Sequence, residues 1–118
     1  MNESIETRHG TARVVSHGTP TQTIRIDGEV DLANAVEIDH RVSNAYGPEV
    51  DRVVFDLGGT TYLDSAGLAM LLRISSRLAA ARAAMTVVAP VESVAHRVIS
   101  LSGLAGELSL RSEWLGST

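Results

Sequence analysis

Tyr62-Leu63-Asp64-Ser65-Ala66-Gly67-Leu68 places a serine hydroxyl directly after a carboxylate, at the junction between a β-branched segment and an Ala/Leu-rich one. A hydroxyl at the start of a helix can do one of two things. As an N-cap it accepts a backbone N–H two or three residues on, which is worth about 1 kcal/mol. Left free, it can be esterified by phosphate, whose charge is favoured by the positive end of the helix and its unpaired N–H groups. The ester would add about −1.5 to −2 charges beside Asp64 and alter what that surface can bind. The Gly-rich stretch before the serine argues for exposure, and the small Ala66-Gly67 behind it leaves room for a visiting partner.

Gly28-Glu29-Val30-Asp31 is a second acidic feature between a strand and a helix. It reads either as a turn with a solvated carboxylate or as part of a functional rim. Loops that follow parallel strands gather at one end of a sheet, so Asp31 and Asp64 are expected on a common edge. Glu37 and His40 have the i, i+3 spacing of carboxylate-bridged metal sites, but no further ligands are patterned and a solvated helix face is the expectation. His9, His17 and His96 show no ligand spacing. Gly58-Gly59-Thr60-Thr61 lacks the Gly-Lys-Ser/Thr ending of a phosphate loop, and the chain has no lysine at all. No Gly-x-Ser-x-Gly elbow is present for a hydrolase. The reading therefore expects no metal, no cofactor and no catalytic residues.

These residues need a scaffold. A chain of 118 residues supports a single hydrophobic core. With 44% apolar residues and only four aromatic ones (Tyr46, Phe55, Tyr62 and Trp114), that core is built from Val, Ile, Leu and Ala. A net charge of −4 argues against nucleic acid or an anionic membrane as partner. The absence of cysteine excludes disulfides and thiolate metal sites. Met1-Asn2-Glu3-Ser4 shows no signal-peptide pattern, and Arg73, Arg77 and Arg82 interrupt the most apolar window, so a cytoplasmic protein without membrane insertion is expected. All ten basic residues are arginine, a bias that fits a GC-rich bacterial genome.

Along the chain, residues 1–10 read as a flexible, polar N-terminus, 11–112 as the folded domain and 113–118 as a tail. Ala12–His17 and Gln22–Asp27 read as strands joined through Gly18-Thr19-Pro20, the second with alternating Ile24 and Ile26. Asn34 with Glu37 resembles a capping box that opens a helix with an Ala35, Ile38, Val42 and Ala45 stripe, stopped by Tyr46-Gly47-Pro48. Arg52–Leu57 reads as a central strand buried on both faces. A second helix over 66–82 is expected to bury Leu68, Leu71, Leu72, Ser75, Leu78 and Ala79. A strand follows over Met85–Val88, then a third helix over 92–101 burying Val94, Val98 and Leu101, with Gly103 at its C-terminal cap. Glu107–Leu110 closes the order as a last short strand. The alternation predicts an α/β domain: an initial antiparallel hairpin, then parallel strands, in a mixed sheet with helices mainly on one face.

Gly28-Glu29-Val30-Asp31, Val53-Val54-Phe55-Asp56-Leu57, Tyr62–Leu68 and Ser102-Gly103-Leu104, in this order and spacing, together resemble the STAS domain family, and most of all its bacterial anti-sigma factor antagonists. The resemblance implies that Ser65 is phosphorylated by an anti-sigma factor serine kinase that uses ATP and Mg²⁺. It also implies that Asp31, Asp64, Ser65, Ala66 and Gly67 form the partner-binding surface. On this reading the unphosphorylated chain binds the kinase and frees a sigma factor, phosphorylation ends binding, and a serine phosphatase resets the switch. Ala66 stands where relatives often carry a second hydroxyl, which leaves Ser65 as the acceptor. The family also contains adaptors of transport ATPases and stress scaffolds, and a small serine hydrolase is the enzymatic alternative.

Overall fold

The computed structural model describes the backbone over residues 2–7, 10–17 and 20–114 and the side chains over 20–114. The strands are β1 (Asn2–Thr7), β2 (Gly10–His17), β3 (Thr21–Val30), β4 (Arg52–Asp56), β5 (Thr60–Leu63), β6 (Ala84–Val88) and β7 (Leu110–Arg111). The helices are α1 (Ala35–Ser43), α2 (Ser65–Ala80) and α3 (Val94–Leu101). Strand order is β1-β2-β3-β4-β6-β7, with β5 paired to β3. β1–β2 and β2–β3 are antiparallel, whereas β3–β4, β3–β5, β4–β6 and β6–β7 are parallel. The connection at Gly18-Thr19 lies outside the described residues, as do 115–118 of the tail.

Alternation along β3 sends Ile24, Ile26 and Val30 to one face, where they meet Val53 and Phe55 of β4 and Val87 of β6. Side chains from all three helices share this core, among them Ile38, Leu71, Ile74 and Ile99. β4 has three consecutive buried residues, Val53, Val54 and Phe55. Val54 points to the opposite face, into a shallow depression with Arg25, Asp56, Val88 and Trp114. There the Arg25 guanidinium bridges Asp27 at 2.9 Å and Asp56 at 3.0 Å. On the helical side Asp39 of α1 pairs with Arg77 of α2, and this hydrogen-bonded carboxylate holds the arginine pKa above its ordinary value.

Two strands are absent from the sequence reading. Asn2–Thr7, read as a flexible end, is strand β1, and Thr60–Leu63, read as loop, is β5. Neither carries a run of apolar residues; pairing with a neighbour defines each. Two helical registers also differ. α2 buries Gly67, Met70, Leu71, Ile74 and Leu78, while Ala79 is exposed. α3 buries Ala95 and Ile99 and leaves Leu101 82% exposed, because an apolar residue on nearly every turn-face makes the stripe ambiguous by one position. The α1 stripe of Ala35, Ile38 and Val42 is buried as expected, and Gly103 has φ +81° just beyond α3.

β3 carries two partners on one side because its path breaks at Gly28. Gly28 has φ +102°, a conformation open to glycine, and the register to β5 shifts between Gly28 and Glu29. β4 runs along Thr21–Arg25, and β5 pairs further along, from Gly28 to Val30. The buried Thr60 hydroxyl donates to the Ile26 carbonyl at 2.7 Å, and the Gly28 N–H donates to the Gly59 carbonyl at 3.0 Å. The ends of β3 and β5 are thereby side by side.

Helix α2 sits down on those two strand ends through Gly67. A Cβ there would lie 2.5 Å from Leu63 Cδ1, 3.0 Å from Val30 Cγ1 and 3.3 Å from the Val30 carbonyl oxygen. The sequence reading gives Gly67 to the partner surface, but it is buried, and its small size serves this internal approach. Gly67→Ala is expected to lower unfolding stability by roughly 1–3 kcal/mol through overpacking, despite alanine's better helix propensity. Urea unfolding followed by circular dichroism checks this; an unchanged or raised midpoint refutes it.

Candidate functional site

Asp64 leaves β5 in an extended conformation (φ −106°, ψ −173°), and its carboxylate caps α2. Oδ1 accepts from the Ala66 N–H at 3.0 Å and the Gly67 N–H at 3.1 Å. The serine is therefore relieved of the capping role. Ser65 is the first residue of the helix, is exposed, and its hydroxyl has no hydrogen-bond partner among the described residues.

The other oxygen of Asp64 reaches a second loop. Oδ2 accepts from the Leu32 N–H at 3.1 Å, while the Asp64 N–H donates to the Val30 carbonyl at 3.3 Å. One residue thus ties the loop after β3 to the start of α2. Asp31 and Asp64 do lie on a common rim. They share a depression of about 410 Å³ with Glu29, Leu32, Ala33 and Tyr62.

Asp31 differs from the solvated carboxylate of the sequence reading. It is only 7% exposed, and its Oδ1 accepts from the N–H groups of Ala33 (2.9 Å) and Asn34 (3.2 Å). Asn34 also differs: it makes no side-chain cap, and the capping box with Glu37 does not form. Instead the fully buried Asn34 side chain turns back into the loop. Its Oδ1 accepts from the Asp31 N–H at 2.9 Å and its Nδ2 donates to the Glu29 carbonyl at 2.7 Å. Asp31 and Asn34 thus hold each other, because a short loop entering a helix has several N–H groups without helical partners. Among the described residues no cluster of His, Cys, Asp or Glu is arranged to hold a metal ion.

Leu32 and Tyr62 line the depression beside Asp64, and Val36 lies in the first turn of α1; the sequence reading assigned none of them to the site. Leu32 is 80% exposed, Val36 78% and Tyr62 49%. Val36 had a signal in the sequence, since it falls off the Ala35, Ile38 and Val42 stripe. Leu32 had none, because an apolar residue in a loop carries no periodicity. Chemically the site is an unengaged hydroxyl beside an acidic, partly apolar surface. Among the described residues no histidine contacts Ser65; the Ser100–His96 pair, at 3.4 Å, is on α3.

The chain is an α/β domain with a serine hydroxyl free at the start of its second helix, and comparison with known proteins gives the family. The STAS domain matches residues 13–114, and the chain belongs to that family. Comparison with curated proteins finds no match. Among solved structures, the chain is similar to an anti-sigma factor antagonist from Mycobacterium paratuberculosis, with TM-score 0.72 and 21% identity over 96% of this chain and 87% of that one. It is also similar to the anti-sigma factor antagonist SpoIIAA in its unphosphorylated form, with TM-score 0.66 and 22% identity over 85% and 89%. The phosphorylated form of SpoIIAA, a Bacillus cell fate determinant, gives TM-score 0.61 and 21% identity over 85% and 92%. At these identities the likeness is one of fold. No helix among the described residues is long and apolar enough to cross a membrane.

Asp31→Ala is expected to lower stability by about 1 kcal/mol, the usual value of a lost cap. Asn34→Ala should exceed it, at roughly 1–3 kcal/mol, because it leaves buried backbone groups unpaired. Chemical denaturation of the two variants checks the order, and an Asp31→Ala protein as stable as the parent would return that carboxylate to a purely surface role.

Proposed function

We propose that this chain is an anti-sigma factor antagonist whose unmodified Ser65 surface docks on an anti-sigma factor with serine kinase activity and frees a sigma factor. The observation that carries the reading is the division of labour between Asp64 and Ser65: the carboxylate caps α2, and the exposed hydroxyl is left without a partner. In the kinase complex, Ser65 Oγ attacks the γ-phosphorus of Mg²⁺-bound ATP. The bond from that phosphorus to the β,γ-bridging oxygen breaks, ADP leaves, and the hydroxyl proton passes to a base on the kinase. A serine phosphatase restores the hydroxyl by hydrolysis.

Leu32 and Tyr62, exposed at the depression that Asp64 lines, and the exposed Val36 supply apolar contact area for docking. Phosphorylation places a dianion where an interface would have to bury it, at a cost of several kcal/mol when unpaired. A loss of ~3–4 kcal/mol already weakens Kd by about 10²–10³-fold, so no refolding of the domain is required. The role is that of a binding switch, and the chemistry belongs to the kinase and phosphatase.

Ser65→Ala is expected to bind the kinase as the parent does and to take up no phosphate from ATP. A folded Ser65→Ala chain that fails to bind, or one that is still phosphorylated, removes the assignment. Leu32→Asp or Val36→Asp should weaken the unmodified complex by roughly tenfold or more, since each buries a charge where an exposed apolar side chain made contact. Titration calorimetry with the purified kinase gives both numbers.

A further inference from the structure

Asp64 does more than cap a helix. Its two carboxylate oxygens face different segments: Oδ1 holds the Ala66 and Gly67 N–H groups of α2, and Oδ2 holds the Leu32 N–H, thirty-two residues away in sequence. Leu32 lies within the hydrogen-bonded Asp31–Asn34 turn, and its apolar side chain is 80% exposed. The backbone amide of that exposed residue is thus tied to the residue adjacent to the acceptor serine. Glu29 and Asp31 line the same depression as Asp64.

We infer that Asp64 is the positioning residue that couples Ser65 to Leu32: a phosphate on Ser65 displaces the Asp64 carboxylate and frees the Leu32 amide, so the modification loosens the apolar contact as well as adding charge. This rests on the reading of Ser65 as a phosphorylation site. The physical cause is competition. Phosphate oxygens on the first residue of α2 compete for the same N–H groups that Asp64 Oδ1 now occupies, and the dianion repels a carboxylate next to it in a region already acidic. Rotation of Asp64 away from the helix end removes Oδ2 from the Leu32 N–H. That amide has no second partner among the described residues.

The test is nuclear magnetic resonance on the full chain with phosphoserine incorporated at position 65, so that no kinase is needed. In the unmodified chain, the Leu32, Ala66 and Gly67 amide protons should all be protected from exchange, because all three donate to the same carboxylate. In the phosphoserine chain Leu32 should leave that group, and its amide exchange should speed up by about tenfold, the factor that corresponds to a bond of about 1.4 kcal/mol. Retention of the parent Leu32 exchange rate overturns the coupling. Asp64→Asn provides a second arm: its side-chain oxygen can still cap α2, but its NH₂ cannot accept from the Leu32 N–H. It should keep the circular dichroism of the parent, speed Leu32 exchange to the same degree, and weaken kinase binding with Ser65 unmodified. Parent-like kinase affinity in Asp64→Asn, with Leu32 released, overturns the positioning role. The amide measurement needs no partner, so it decides the coupling separately from the identity of the kinase.

Discussion

The break in β3 at Gly28 is the constraint on which the remaining architecture depends. With φ at +102° the strand can shift register and accept β5 beyond the point where β4 ends. That shift places Val30 beside Leu63, and everything at the site is a continuation of those two strands. Asp31 and Asp64 follow directly, one entering α1 and the other α2. Without the second partner on β3 the two acidic residues would belong to unconnected loops.

Packing beneath the site is unusually tight for a surface feature. Gly67 lets the first turn of α2 rest on Val30 and Leu63, with no room for a methyl group. The helix N-terminus therefore has a fixed position relative to the sheet, and Ser65 is presented from a rigid base. Asp64, Asp31 and Asn34 complete this base with bonds to backbone N–H and carbonyl groups. Asp31 and Asp64 thus act chiefly on this chain's own backbone, while Leu32 and Tyr62 expose apolar surface on the same rim.

The strongly patterned elements were legible in the sequence. The β3 alternation of Ile24 and Ile26, the apolar β4 run and the α1 stripe each have a single consistent reading, and the structure follows it. β5 was not legible because Thr60-Thr61 after two glycines has turn composition, and its strand character comes from pairing with β3. α2 and α3 are so rich in Ala, Leu and Val that several faces satisfy the period. At the site, the exposure of Ser65 and the nearness of Asp31 to Asp64 followed from helix-start chemistry and parallel topology. The capping assignment did not, because Asp64 and Ser65 are both good caps and adjacent; only the backbone conformation at Asp64 decides between them. Asp31 and Asn34 likewise could exchange roles on paper, and their hydrogen bonds settle them.

The bond from Asp64 to the Leu32 amide spans thirty-two positions, and β3–β5 pairing precedes it in the logic of the fold. A linear peptide copied from Tyr62–Leu68 contains the serine and its carboxylate but none of the geometry around them. Long-range pairing of this kind comes late relative to local helix formation. The surface consequently exists only on a chain that has finished its sheet, and a nascent or damaged copy does not display it.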